Sequence, residues 1–76
     1  MSEVQTTEDT FEIRLNGESK SLSEGASVAD LLAELGKTPS TVAVELNSVI
    51  LPRDQYADTR LGEGDRLEIV QFVQGG

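Results

Sequence analysis

Phe11, Ile13 and Leu15 are separated by Glu12 and Arg14 and run directly into Asn16-Gly17, a combination that admits little besides a β-hairpin with one buried face. Successive side chains of a strand point to opposite sides, so an apolar period of two writes one apolar face. Asn and Gly both tolerate the positive φ of a type I′ turn, whose twist matches that of the strands it joins. A return strand is expected over Glu18 to Leu22. The chain has 76 residues and no cysteine, so neither a disulfide framework nor a thiolate metal site can assist folding. A core of this size excludes only roughly 60% of the unfolded chain's surface from water, which leaves one domain of modest stability.

The loop Ser23-Glu24-Gly25-Ala26 leads to Ser27, which with Asp30 forms a capping box for a helix starting at Val28. Val28, Leu31, Leu32 and Leu35 form one apolar stripe, and Gly36 is placed to end the helix in a left-handed conformation. Alternation returns at Val42, Val44 and Leu46. Asn47-Ser48 then turns the chain, and Val49 to Leu51 pair back before Pro52 ends the ladder. In the polar stretch Arg53 to Thr59, Tyr56 reads as a partly buried anchor. Leu61 precedes the turn Gly62-Glu63-Gly64-Asp65, and a last strand runs from Arg66 toward Val73. This order predicts an α+β fold with a mixed four- to five-stranded sheet packed on one main helix, the layout of a β-grasp, ubiquitin-like domain. Residues 11–73 are assigned to that domain, 1–10 to a flexible acidic leader and 74–76 to a flexible tail.

Fourteen acidic residues against six basic ones give a net charge of −8, which repels phosphate backbones and anionic headgroups. Neither nucleic acid nor a membrane is expected as a partner. Apolar runs such as Val49-Ile50-Leu51 fall far short of the ~18 residues that span a bilayer, and no basic segment precedes an apolar stretch at the start. A cytoplasmic protein is expected. Histidine is absent along with cysteine, so the commonest nucleophile, base and metal ligands are missing together. The chain is therefore expected to be no enzyme, with no catalytic residue, no metal and no bound cofactor. The pairs Asp54/Asp58 and Asp30/Glu34 read as solvated helix faces, and Gly62-Glu63-Gly64 as a turn, since the lysine and following helix of a phosphate-binding loop are absent.

The sequence closes on Gln74-Gly75-Gly76. Without a Cβ, a Gly-Gly segment can thread a channel too narrow for side chains, so an open carboxylate at Gly76 is a reactive group that another protein can reach; the plain alternative is a terminus that frays. In the last strand, Leu67 and Ile69 face the helix if alternation holds, which turns Glu68, Val70 and Phe72 to the opposite face. A bulge or partial cover would hide that apolar pair; otherwise it forms a docking patch centred on Phe72. The acidic surplus serves solubility, or it steers the chain onto a basic partner through Glu63, Asp65 and Glu68 near the tail. Arg53 and Arg66 read as surface charges or local ion pairs rather than binding determinants.

Taken together, Val28 to Gly36 (VADLLAELG), Val42 to Asn47 (VAVELN), Ile50 to Arg53 (ILPR) and the closing GDRLEIVQFVQGG resemble the sulfur carrier protein of thiamin thiazole biosynthesis, in the ThiS/MoaD-like ubiquitin-fold family. The resemblance covers about Phe11 to Gly76. It implies a cycle in which an adenylating enzyme related to ubiquitin-activating enzymes uses ATP-Mg to form an acyl-adenylate on Gly76. A sulfur donor protein then displaces AMP, and thiazole synthase takes sulfur from the resulting thiocarboxylate. Two neighbouring functions stay open: the small subunit of molybdopterin synthase, whose usual Pro-rich approach to the tail is replaced here by Gln71-Phe72-Val73-Gln74, and a ubiquitin-like modifier joined to lysines through Gly76. A plain β-grasp interaction domain is the third.

Overall fold

The computed structural model describes residues 9–72. Strands β1 (Thr10–Leu15) and β2 (Glu18–Ser23) form the first hairpin, and helix α1 (Val28–Glu34) follows. A 3-10 turn over Pro39–Thr41 leads into the second hairpin, β3 (Val42–Leu46) and β4 (Val49–Leu51). A second 3-10 turn, Arg53–Gln55, precedes the last strand, β5 (Arg66–Gln71). The sheet order is β2-β1-β5-β3-β4. β5 therefore sits in the middle, parallel to β1 and antiparallel to β3. This is the mixed five-stranded, one-helix arrangement expected of a β-grasp domain.

Both hairpins turn through residues of positive φ: Asn16 at 52° and Gly17 at 84°, then Asn47 at 52° and Ser48 at 72°. The two asparagines do more than turn the chain. β1 leaves the ladder after Leu15, and the Asn16 carboxamide takes the next place in it. Its Oδ1 accepts from the Ile69 amide at 2.8 Å, and its Nδ2 donates to the Ile69 carbonyl at 3.3 Å. Asn47 grips the start of the same strand, with its Oδ1 accepting from the Arg66 amide at 2.9 Å and its own amide donating to the Arg66 carbonyl at 2.8 Å. The central strand is thus fastened at two points by the turns of its two neighbours.

Alternation places Phe11, Ile13, Val42, Val44, Leu67 and Ile69 under α1, whose Val28, Leu31 and Leu32 are fully buried. The helix starts as its residues dictate. Ser27 Oγ accepts from the Asp30 amide and Asp30 Oδ2 from the Ser27 amide, which completes the capping box. The remaining first-turn donors are met by an unexpected partner. The Val28 amide donates to Thr59 O and the Ala29 amide to Tyr56 O, each at 3.0 Å, so the polar stretch after β4 caps the helix with its carbonyls. Tyr56, read from sequence as partly buried, is buried at 4% exposure because this stretch is pinned across the helix start. At the other end Gly36 takes a φ of 73°, and its amide and that of Lys37 donate to Ala33 O and Leu32 O, closing a Schellman turn.

Two boundaries differ from the sequence reading. Thr10, assigned to the leader, pairs with Ser23, and the Asp9 carbonyl accepts from the Glu24 amide. The last strand ends at Gln71, and Val73 lies outside the described residues, as do residues 1–8 of the expected leader.

Replacing Asn16 by Gly keeps the turn conformation and removes both carboxamide bonds to Ile69. A loss of about 1–2 kcal/mol is expected in urea unfolding. Ser48→Gly, which relieves a left-handed side-chain-bearing residue, is expected to add about 1 kcal/mol by the same measurement. The Asp30 carboxyl is held below its ordinary 3.8 by the hydrogen bonds from the Ser27 backbone and side chain. A depressed acid stabilises the fold above its unfolded pKa and loses that contribution as pH falls through the folded one. The stability gap between wild type and Asp30→Asn is therefore expected at neutral pH and to close in acid.

Candidate functional site

The alternation of β5 decides which groups the protein displays beside its tail. Leu67 and Ile69, at 1% and 8% exposure, are packed into the core, and no bulge shifts the phase. Val70 and Phe72 consequently stand on the sheet face away from α1 at 58% and 45% exposure. Val70 lies opposite Ala43 in the β3 ladder, and the Phe72 amide donates to Thr41 O at 2.8 Å, so pairing continues one residue past the strand. Gln71 is held from the other side: Lys37 Nζ donates to its Oε1 at 3.2 Å and its Nε2 donates to Thr41 O at 3.3 Å. The chain is therefore fixed in direction up to Phe72. Gln74, Gly75 and Gly76 lie outside the described residues.

The exposed apolar pair is part of a graded face. Arg66, Glu68, Val70 and Phe72 occupy alternate positions of β5 on that side, so one strand runs from cation through anion to apolar groups toward the tail. Ile50, 71% exposed, joins it from the edge strand, opposite Glu45. Glu68 sits in the middle, paired in register with Glu45. Two other acids stand elsewhere. Glu63 and Asp65 precede β5, at its far end from Phe72, a distance of roughly 20 Å along a strand rising 3.3 Å per residue. Their carboxylates are also engaged: Glu63 Oε1 accepts from the Glu12 amide at 3.0 Å, and Asp65 Oδ2 from the Gly62 amide at 2.8 Å. They build the turn into β5 rather than flank the tail, so of the three acids read as neighbours of the tail, Glu68 alone shares a face with Phe72.

Other acidic pairs resolve into structural duties. Asp30 belongs to the capping box and Glu34 makes an ion pair with Lys20 at 2.9 Å. Asp54 lies in a 3-10 turn that does not continue to Asp58, so the two share no helix face. Among the described residues no group of three potential ligands from His, Cys, Asp or Glu could hold a metal ion. Among them, too, no helix is long and apolar enough to cross a membrane.

A single α-helix on one side of a β5-centred mixed sheet, with the other face open as far as Phe72, defines a ubiquitin-like β-grasp domain. The ThiS family model matches residues 13–76, and the chain belongs to the ThiS family. It is 39% identical over 62 residues to the sulfur carrier protein ThiS of Thermus thermophilus, covering 82% of this chain and 95% of that protein. Identity to a thiazole synthase of Paramagnetospirillum magneticum is 45% over 62 residues, which is 82% of this chain but 19% of that protein. The chain thus spans about a fifth of the length of the thiazole synthases it matches. The crystal structure of ThiS from Geobacter metallireducens superposes with a TM-score of 0.74 at 30% identity, covering 87% of this chain and all of that one.

The two faces of β5 carry opposite expectations. Leu67→Ala removes a buried side chain and is expected to cost about 2–5 kcal/mol. Val70→Ser and Phe72→Ala are expected to stay within about 1 kcal/mol of wild type in thermal unfolding, because exposed positions contribute little packing.

Proposed function

We propose that this chain is a sulfur carrier for thiamin: its Gly76 carboxylate is adenylated by an ATP-dependent enzyme and then converted to a thiocarboxylate that supplies the thiazole ring. The family match, which runs through the fold and the closing glycines to residue 76, carries this reading. Thiazole synthases that contain a stretch similar to most of this chain support thiazole synthase as the acceptor in preference to the molybdopterin pathway.

The chemistry divides between carrier and partner. An α-carboxyl titrates at roughly 3.3–3.7, so at neutral pH Gly76 is already an anionic nucleophile and needs no base. Its oxygen attacks the α-phosphorus of ATP, pyrophosphate leaves, and an acyl-adenylate results. A nucleophile delivering sulfur at the sulfide level then adds to the acyl carbon and expels AMP, leaving a C-terminal thiocarboxylate. The charge that develops on phosphate must be neutralised by cations and Mg²⁺. A chain of net charge −8 is poorly suited to provide them, and those groups belong to the adenylating partner. The carrier supplies position. Val70 and Phe72, with Glu68 beside them, dock the sheet face, while Gln74, Gly75 and Gly76 reach the reaction centre without side-chain obstruction at the last two positions. Holding the carboxylate against ATP in this way can supply several kcal/mol, about 7–11 in well-oriented cases.

Deleting Gly76, or replacing Gly75 by Leu, is expected to leave the melting temperature unchanged and to abolish ATP-dependent acyl-adenylate formation. Adenylation of either variant at the wild-type rate would falsify the tail mechanism. Intact-mass measurement of the protein from its native cell is expected to show a species with one oxygen exchanged for sulfur, whereas a ladder of isopeptide conjugates would identify a protein modifier instead.

A further inference from the structure

The end of the sheet face farthest from the tail carries an arrangement that the sulfur-carrier reading leaves unused. Arg14 of β1 and Arg66 of β5 are register partners in the parallel ladder, and their side chains lie on the face opposite α1. Neighbouring strands are about 4.8 Å apart, so two guanidinium stems rise side by side. Like charges opposed across a ladder are unfavourable, and a chain with fourteen carboxylates has ample means to neutralise them. It does not do so here. The ion pair formed among the described residues is Lys20–Glu34, and no carboxylate oxygen there stands within 4.0 Å of Arg14 or Arg66. Arg14 Nη1 makes one long bond, 3.4 Å, to the Gly17 carbonyl. Both arginines border an open depression of about 230 Å³ whose rim also includes Gly17 and Glu68.

Resting on the proposed carrier function, we infer that the Arg14–Arg66 pair receives carboxylate side chains of the adenylating enzyme and so fixes which way round the sheet face lies on it. The occupant follows from charge and continuity. On a chain of net charge −8, two adjacent cations make a place where an acidic protein segment is attracted rather than repelled. The depression is open and lies on the same β5 face as Val70 and Phe72, which stand four and six residues further along. A surface that covers the apolar pair therefore extends over the arginines. Reversed docking would set the partner's acids against the exposed apolar Val70 and Phe72 at the other end of the face and leave the arginines without a partner. The pair thus acts by selecting orientation, since the wrong one covers the partner's carboxylates with apolar groups and pairs them with nothing.

The test is calorimetric binding of the full chain to the adenylating enzyme of its own cell at low and high salt, beside acyl-adenylate formation by the same pair. Variants are R14Q/R66Q, R14E/R66E and R14K/R66K. Removal of a like-charge pair is expected to leave the melting temperature equal or higher. The Gln variant is expected to bind about tenfold more weakly with a flatter salt response, the Glu variant weaker still, and the Lys variant close to wild type. Equal affinity of all four proteins overturns the inference. So does saturable binding of inorganic phosphate at Arg14 and Arg66 in amide shift titrations at sub-millimolar concentration, which would make the pair a small-anion site. Arginine-dependent binding without adenylate formation would sink the proposed function and leave the docking point standing; adenylation indifferent to the arginines does the reverse. No binding by the wild type removes both.

Discussion

The pairing of β5 between β1 and β3 is the constraint from which the rest of the domain follows. Its β1 side is the longest-range strand pairing among the described residues, joining Arg14 and Leu15 to Arg66 and Leu67 across about fifty residues, and closing such a loop carries an entropic cost that local elements do not bear. Parallel register is short here, with two paired positions. The ladder is extended by other groups: the Arg14 amide donates to Asp65 O and the Asn16 amide to Leu67 O, each at 2.9 Å, before the Asn16 carboxamide adds its own two bonds to Ile69. Asn47 does the equivalent from β3. Once β5 is held, Leu67 and Ile69 complete the core beneath α1 and the opposite side chains are displayed in fixed order.

Much of this was legible because the signals are local. Alternation at Phe11–Leu15 and Val42–Leu46, the stripe at Val28, Leu31 and Leu32, the Ser27–Asp30 box and the Gly36 terminus each depend on neighbours a few residues away, and each stands where periodicity put it. What escaped was non-local. Nothing in Arg53 to Thr59 reveals that the Tyr56 and Thr59 carbonyls will cap α1, and so the burial of Tyr56 was underestimated. Asn16 and Asn47 advertise turns, while their grip on β5 depends on a strand that arrives much later. The placement of Glu63 and Asp65 near the tail failed for a simpler reason. Closeness in sequence becomes roughly 20 Å of separation once the intervening residues are extended. The signal was available in the alternating run from Arg66, whose length sets that distance.

The same fixed order separates the two jobs of the last strand. One side of β5 contributes Leu67 and Ile69 to stability, and the other contributes Glu68, Val70 and Phe72 to whatever lies against the sheet. Because the sides share a backbone but not a packing environment, the outward residues can change without loss of the core. A strand in the centre of a sheet, bonded on both edges, is also the stiffest support the fold can offer to a segment that leaves it. Direction is set as far as Phe72 by the Thr41 carbonyl and the Lys37–Gln71 contact.

A carrier on the proposed reading meets an adenylating enzyme and then a sulfur acceptor, and both need the same tail. Docking that is too tight would hold it on the first. Among the described residues the large exposed apolar side chains are Val70, Phe72 and, on the edge strand, Val49 and Ile50, a small surface that suits the limited interfaces of transient encounters. Limited area gives little orientational discrimination, since an apolar patch attracts in many poses. Charged groups placed far from the patch supply what area does not. At roughly 20 Å from the tail end of β5, Arg14 and Arg66 have a long lever arm, and their contacts select pose and raise association rate while adding about tenfold to affinity. Weak binding and correct delivery of Gly76 are then compatible on a domain of this size.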